Sequence, residues 1–189
     1  MNARYRHIAL LCLSVMLVVT GCASVADRGE PLGLVDEESG LSVRLWSLRE
    51  VQRHFGPGPQ ENPFIPWRGL VTGGKNFYVF SIANRSGQAQ SIKEVTYTDT
   101  SGNELGSVID TQALIRYWEG YKKLSDTLDA KKDILARECL GDSGLVKNGS
   151  RKLIVVDSKK AITVPFVILV ELMDGNRIPF EIDALPAEK

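Results

Sequence analysis

The chain has 189 residues, of which 43% are hydrophobic and 24% charged, with 23 basic and 23 acidic side chains. That is enough to bury one ordinary core, and the charge balance excludes a nucleic-acid footprint. The basic pairs Lys122-Lys123, Lys131-Lys132, Arg151-Lys152 and Lys159-Lys160 are interleaved with Asp126, Asp129, Asp133 and Asp157, which marks them as solvated surface. With only 3 cysteines and 2 histidines, and none of them paired at ligand spacing, neither a metal nor another cofactor is expected.

The N-terminus carries Arg4 and Arg6, then an uncharged apolar run over residues 8–21. The order of positive region, apolar region and small residue is that of a secretory signal, and the run falls short of the roughly 20 residues that a spanning helix needs. The run ends in Val19-Thr20-Gly21-Cys22, which resembles the bacterial lipobox. That resemblance implies a signal peptide over residues 1–21 and a Cys22 that is lipidated and becomes the first mature residue. Ala23 then stands where, in enteric-type sorting, an aspartate would signal retention at the inner membrane, so the outer membrane is the implied address. Cys12 and His7 leave with the signal, and Cys139 remains as the single thiol of the exported domain. No internal disulfide is expected, so stability must come from packing.

Residues 22–40 are small, polar or acidic and broken by Gly29, Pro31 and Gly33, the composition of a flexible tether. Order is expected from residue 41, where Leu41, Val43 and Leu45 alternate with Ser42 and Arg44 in a strand running to about Leu48. Pro57, Pro59, Pro63 and Pro66 then forbid helix or central strand. Phe64, Ile65 and Trp67 lie among these prolines. They either fold back over an open end of the core or form an exposed partner-binding loop.

The clearest strand signals come next, over residues 76–83, 91–98 and 104–109, separated by turns at Asn84-Arg85-Ser86-Gly87 and at 99–103. From 111 to 140 the period changes to 3.6. Leu114, Tyr117, Trp118, Tyr121, Leu124, Leu128, Leu135 and Cys139 share one face, with Asp110 placed to cap the start and Gly141 to stop the end. This predicts one amphipathic helix, or two broken near Ser125-Asp126, with Cys139 buried as an inert thiol. Strands resume over 152–156, 162–172 and 177–183, the last two joined by a hairpin at Asp174-Gly175-Asn176. The middle strand is apolar on both faces from 166 to 170, as a central strand is, while Pro165 and Pro179 must sit at strand ends, bulges or an edge.

About eight strands around one helical insertion predict a mainly β protein, a β-sandwich over residues 41–185 with an inserted helical segment at 111–140. An apolar strand ending in Asn84-Arg85-Ser86 and a later one running into Asp99-Thr100-Ser101-Gly102 resemble immunoglobulin-like or fibronectin-type domains of bacterial envelope proteins. The resemblance implies an antiparallel sandwich and carries no active site.

Two catalytic patterns are weighed and set aside. Gly69 to Lys75 follows the phosphate-loop spacing, but Asn76 replaces the magnesium-binding hydroxyl and a strand follows where a helix is needed. Gly141-Asp142-Ser143-Gly144 looks like the nucleophile segment of chymotrypsin-like proteases, for which His54 would have to serve as base. The function expected from the sequence is therefore a lipid-anchored envelope protein with a non-catalytic binding or structural role, attached to the membrane at Cys22 and engaging an envelope protein or polymer. A serine hydrolase using Ser143 and His54 is the alternative.

Overall fold

The structure, a computed structural model, describes residues 33–58, 62, 64–65, 76–119, 125–158 and 160–186, with backbone only for Trp118 and residues 125–130. The chain divides into two units, Met1–Pro31 and Leu32–Lys189. In chain order the second unit contains β1 (Leu34–Val35), β2 (Leu41–Leu45), α1 (Leu48–Phe55), β3 (Asn76–Asn84), β4 (Gln90–Thr98), β5 (Gly106–Ile109), α2 (Thr111–Glu119), α3 (Ser125–Glu138), β6 (Leu145–Val146), β7 (Arg151–Ser158), β8 (Phe166–Leu172) and β9 (Arg177–Ile182).

The nine strands among the described residues form two antiparallel sheets, one in the order β1-β2-β3-β7-β5 and the other β6-β4-β8-β9. The protein is mainly β and sandwich-like. Leu41, Val43, Phe80, Ile82 and Ile154 of the first sheet share a buried core with Tyr97, Phe166, Ile168, Val170 and Phe180 of the second. Each such fully buried side chain contributes roughly 1.5–3 kcal/mol.

Strands β3 and β7 are apolar on both faces, and their alternation feeds two cores. Phe80, Ile82, Ile154 and Val156 point between the sheets, whereas Phe77, Val79, Leu153 and Val155 point outward into a second cluster. The helices cover that second face: Val51 and Phe55 of α1, Leu114 of α2 and Leu135 of α3 all belong to it. Tyr117 of α2 meets Phe77 edge-on at 5.0 Å between ring centres. The insertion predicted for 111–140 is therefore two helices, the second starting at Ser125. Asp110 caps the first, its Oδ1 accepting from the Ala113 N–H at 2.6 Å. Glu138 ends the second, and Cys139 passes into a bridge with Leu153 before Gly141 is reached. Leu114, Leu135 and Cys139 are buried on the predicted stripe. The side chains of Trp118, Tyr121, Leu124 and Leu128 lie outside the described residues.

Three sequence boundaries change. Residues 22–40 are not tether throughout, because Leu34 and Val35 pair with Val43 and Ser42 at the edge of the first sheet. The strand that opens at Leu41 stops at Leu45, since Ser47 caps a helix where further strand was expected. The strand predicted over 162–172 begins at Phe166, directly after Pro165, and is central in its sheet. Pro179 falls in β9, an edge strand, opposite Leu169.

At the end where β3 stops, Asn84 ties the two sheets together. Its side chain is fully buried, with Nδ2 donating to the carbonyls of Gln88 and of Val146 in β6, both at 2.8 Å. Its Oδ1 accepts the Ser86 N–H at 3.0 Å, so the Asn-x-Ser pattern is an Asx turn. Nearby, Gly144 at φ +59 lies so close to the Ile92 carbonyl that a Cβ there would sit 1.8 Å from the oxygen, and only glycine fits.

Asn84→Ala would take the amide donor from the buried Val146 carbonyl and undo the turn that holds Gln88 and the Ser86 N–H. It is expected to cost about 2–4 kcal/mol in urea unfolding. Asn103→Ala, which removes an exposed partner of Asp99, should stay within about 0.5 kcal/mol. For Cys139, 4% exposed, burial pushes the thiol up to about 12, with the neighbouring Glu138 carboxylate adding to the shift. A bulky maleimide is expected to leave Cys139 unlabelled in the native protein and to label it once the protein is unfolded in urea.

Candidate functional site

A cleft of about 410 Å³ opens at the end of the domain opposite Asn84. It arises because the first sheet and α1 part company there. β2 ends at Leu45, Trp46 holds on to β3 through its N–H to the Val79 carbonyl at 2.9 Å, and Ser47 turns the chain into α1. The turn is fixed by a complete capping box. Ser47 Oγ accepts the Glu50 N–H at 3.3 Å and Glu50 Oε2 accepts the Ser47 N–H at 2.7 Å. Arg44, near the end of β2, adds its guanidinium to Glu50 Oε1 at 2.6 Å. Burial works to raise the Glu50 carboxyl, but the Ser47 backbone N–H and the Arg44 charge outweigh it and hold the group below its ordinary value.

The far wall comes from the proline-rich loop. Asn62 is buried and its Nδ2 donates to the carbonyls of Val51 and Gly56 at 3.1 and 2.8 Å, satisfying groups near the end of α1. Its Oδ1 accepts the Phe64 N–H at 3.0 Å. Phe64 is thereby set edge-on against Phe55 at 4.8 Å and shut into the wall, 3% exposed. Of the three residues named for partner binding, Phe64 thus belongs to the core edge, Ile65 is half-buried beside it, and Trp67 lies outside the described residues. Cys22 lies outside them as well. Tyr78 Oη accepts the Ile162 N–H at 2.9 Å and draws the loop before β8 to the cleft. Leu185 and Pro186 complete the lining.

Beneath α1, Trp46 is flanked by two guanidinium groups, Arg151 at 5.0 Å and Arg44 at 5.7 Å from its ring centre. His54 meets it edge-on at 5.4 Å. The Trp46 Nε1 is buried and has no hydrogen-bond partner among the described residues.

His54 and Ser143, the residues of the hydrolase alternative, share no hydrogen bond. His54 Nε2 is engaged by Glu138 Oε2 at 2.5 Å, joining α1 to α3, while Ser143 is exposed and its Oγ accepts the Leu145 N–H at 3.4 Å. Among the described residues no cluster of three or more His, Cys, Asp or Glu side chains is arranged to hold a metal ion. No helix among them is long and apolar enough to cross a membrane.

Glu50→Gln tests the frame of the cleft. A carboxyl held below its ordinary 4.5 stabilises the fold above that pH, and the contribution is lost as pH falls through the lower folded value. The variant is therefore expected to unfold at lower urea than the wild type at pH 7, with the gap narrowing by pH 3. Comparison of the chain with protein-family models, with curated proteins and with solved structures found no match.

Proposed function

We propose that the protein is a lipid-anchored envelope protein, attached through Cys22 on the periplasmic side of the outer membrane, whose domain binds without catalysis. The observation that carries this reading is the Val19-Thr20-Gly21-Cys22 sequence at the end of an apolar run behind Arg4 and Arg6. Two or three acyl chains at that cysteine hold a protein to its membrane, where a single chain binds only reversibly. In this reading the domain is an immunoglobulin-like sandwich. Two antiparallel sheets around one core, and the buried Asn84 at the end of an apolar strand, support that assignment. Its partner is another envelope protein or an envelope polymer. The apolar cleft rimmed by Leu48 and Leu185 supports a binding role.

Metabolic labelling with a fatty-acid analogue, followed by fractionation, tests the anchor. The wild type is expected to carry label and to sediment with membranes, and Cys22→Ser to lose the label entirely. Label on Cys22→Ser, or a soluble wild type, would overturn the proposal.

A further inference from the structure

We propose that the cleft beside α1 takes one acyl chain of a lipid from the membrane to which Cys22 is attached, an inference that rests on the anchor reading. The cleft favours hydrocarbon because most of its lining is apolar, with Leu45, Leu48, Val51, Phe64, Phe77 and Val79 among the residues that form it. Of the two polar side chains among its described lining residues, Ser47 is held in the capping box and Tyr78 Oη accepts the Ile162 N–H. Trp46 lines the cleft as well, and its Nε1, closed off from solvent, offers no hydrogen-bonding group to the opening. An inserted peptide would leave backbone N–H and C=O groups unpaired, each at a cost of roughly 1–3 kcal/mol; an acyl chain has no such groups.

The source follows from where the chain enters the domain. Gly33 packs on the Val43 carbonyl and the Arg44 Cβ, and β1 is antiparallel to β2 with Leu34 opposite Val43. The chain therefore arrives from the Leu45 end, and Leu45 lines the cleft. At no more than ~3.5 Å per residue, the stretch from Cys22 to Gly33 keeps that end within roughly 40 Å of the bilayer. The rim is apolar where a solvated rim would be polar: Leu48 is 49% and Leu185 46% exposed, and Val164 is exposed in the loop at the same end.

The test uses the full-length protein carrying Trp67→Phe and Trp118→Phe, which leaves Trp46 as the reporter, in phospholipid vesicles with brominated or ordinary acyl chains. Bromine quenches indole on contact, so brominated vesicles are expected to remove most of the Trp46 emission. Leu48→Asp and Leu185→Asp, both at exposed positions, should each restore it with unchanged melting. Met173→Asp, at the opposite end and 68% exposed, should leave the quenching intact. Equal emission in the two vesicles, or quenching that survives Leu48→Asp, overturns the proposal. Emission quenched only when the bromine is carried on the Cys22 anchor itself overturns it too, by making the occupant the protein's own lipid. The intact mass of the same sample reports the anchor separately. Quenching of an unlipidated protein would sustain the cleft assignment and overturn the anchor reading alone.

Discussion

Burial of both faces of the β3–β7 pair is the constraint from which the rest of the architecture follows. These strands lie side by side from Asn76–Ser158 to Ala83–Arg151, and each holds an unbroken apolar run, Phe77–Phe80 in β3 and Leu153–Val156 in β7. A sheet face carrying Phe77, Val79, Leu153 and Val155 cannot be left to water. The second sheet covers one side, and the three helices have to cover the other. The insertion between β5 and β6 is thus a structural necessity for this pair of strands, and α1 adds Val51 and Phe55 to the same cover. The cleft lies where that cover thins, between the start of α1 and the end of β9.

The strands that read well from sequence were those with one strong local signal. β4, β8 and β9 alternate or run apolar between turn residues, and β3 announces itself through Phe77, Tyr78, Val79 and Phe80. β1 was hidden because two apolar residues in an acidic, glycine-broken stretch carry no periodicity. Its pairing depends on β2 being in place. α1 was legible and missed. Ser47-Leu48-Arg49-Glu50 is a capping box, but Trp46 and Leu48 repeat the two-residue spacing of β2 in switched phase and so imitate strand for three positions longer than the chain follows it. Local propensity and pattern conflicted there, and the cap, with its reciprocal hydrogen bonds, prevailed.

The site was less legible than the fold for a different reason. Its lining is drawn from β2, α1, the Phe64 turn, β3, the loop before β8 and the segment after β9. No window of the sequence contains more than a fragment of it. Phe64 stood out because an aromatic residue among prolines demands an explanation, yet its partner Asn62, which holds it against α1, has no signature beyond being a buried amide. Ser143 stood out for a motif, and in the structure that motif is a tight turn that exposes Asp142 and Ser143 while Gly144 backs onto Ile92.

The proline in β9 has a bearing on how copies of this protein meet one another. The Leu172 N–H bonds the Asn176 carbonyl, and with ladder bonds alternating from there, Pro179 opposite Leu169 turns its imide nitrogen to the free edge. A strand approaching that edge finds a donor missing midway and a ring in its path. β1, which lies against β9, offers only two residues for pairing, as does β6, and β5 offers four. Every sheet end among the described residues is therefore short, interrupted or sheltered. Such edges give the strand of a second copy little to pair with.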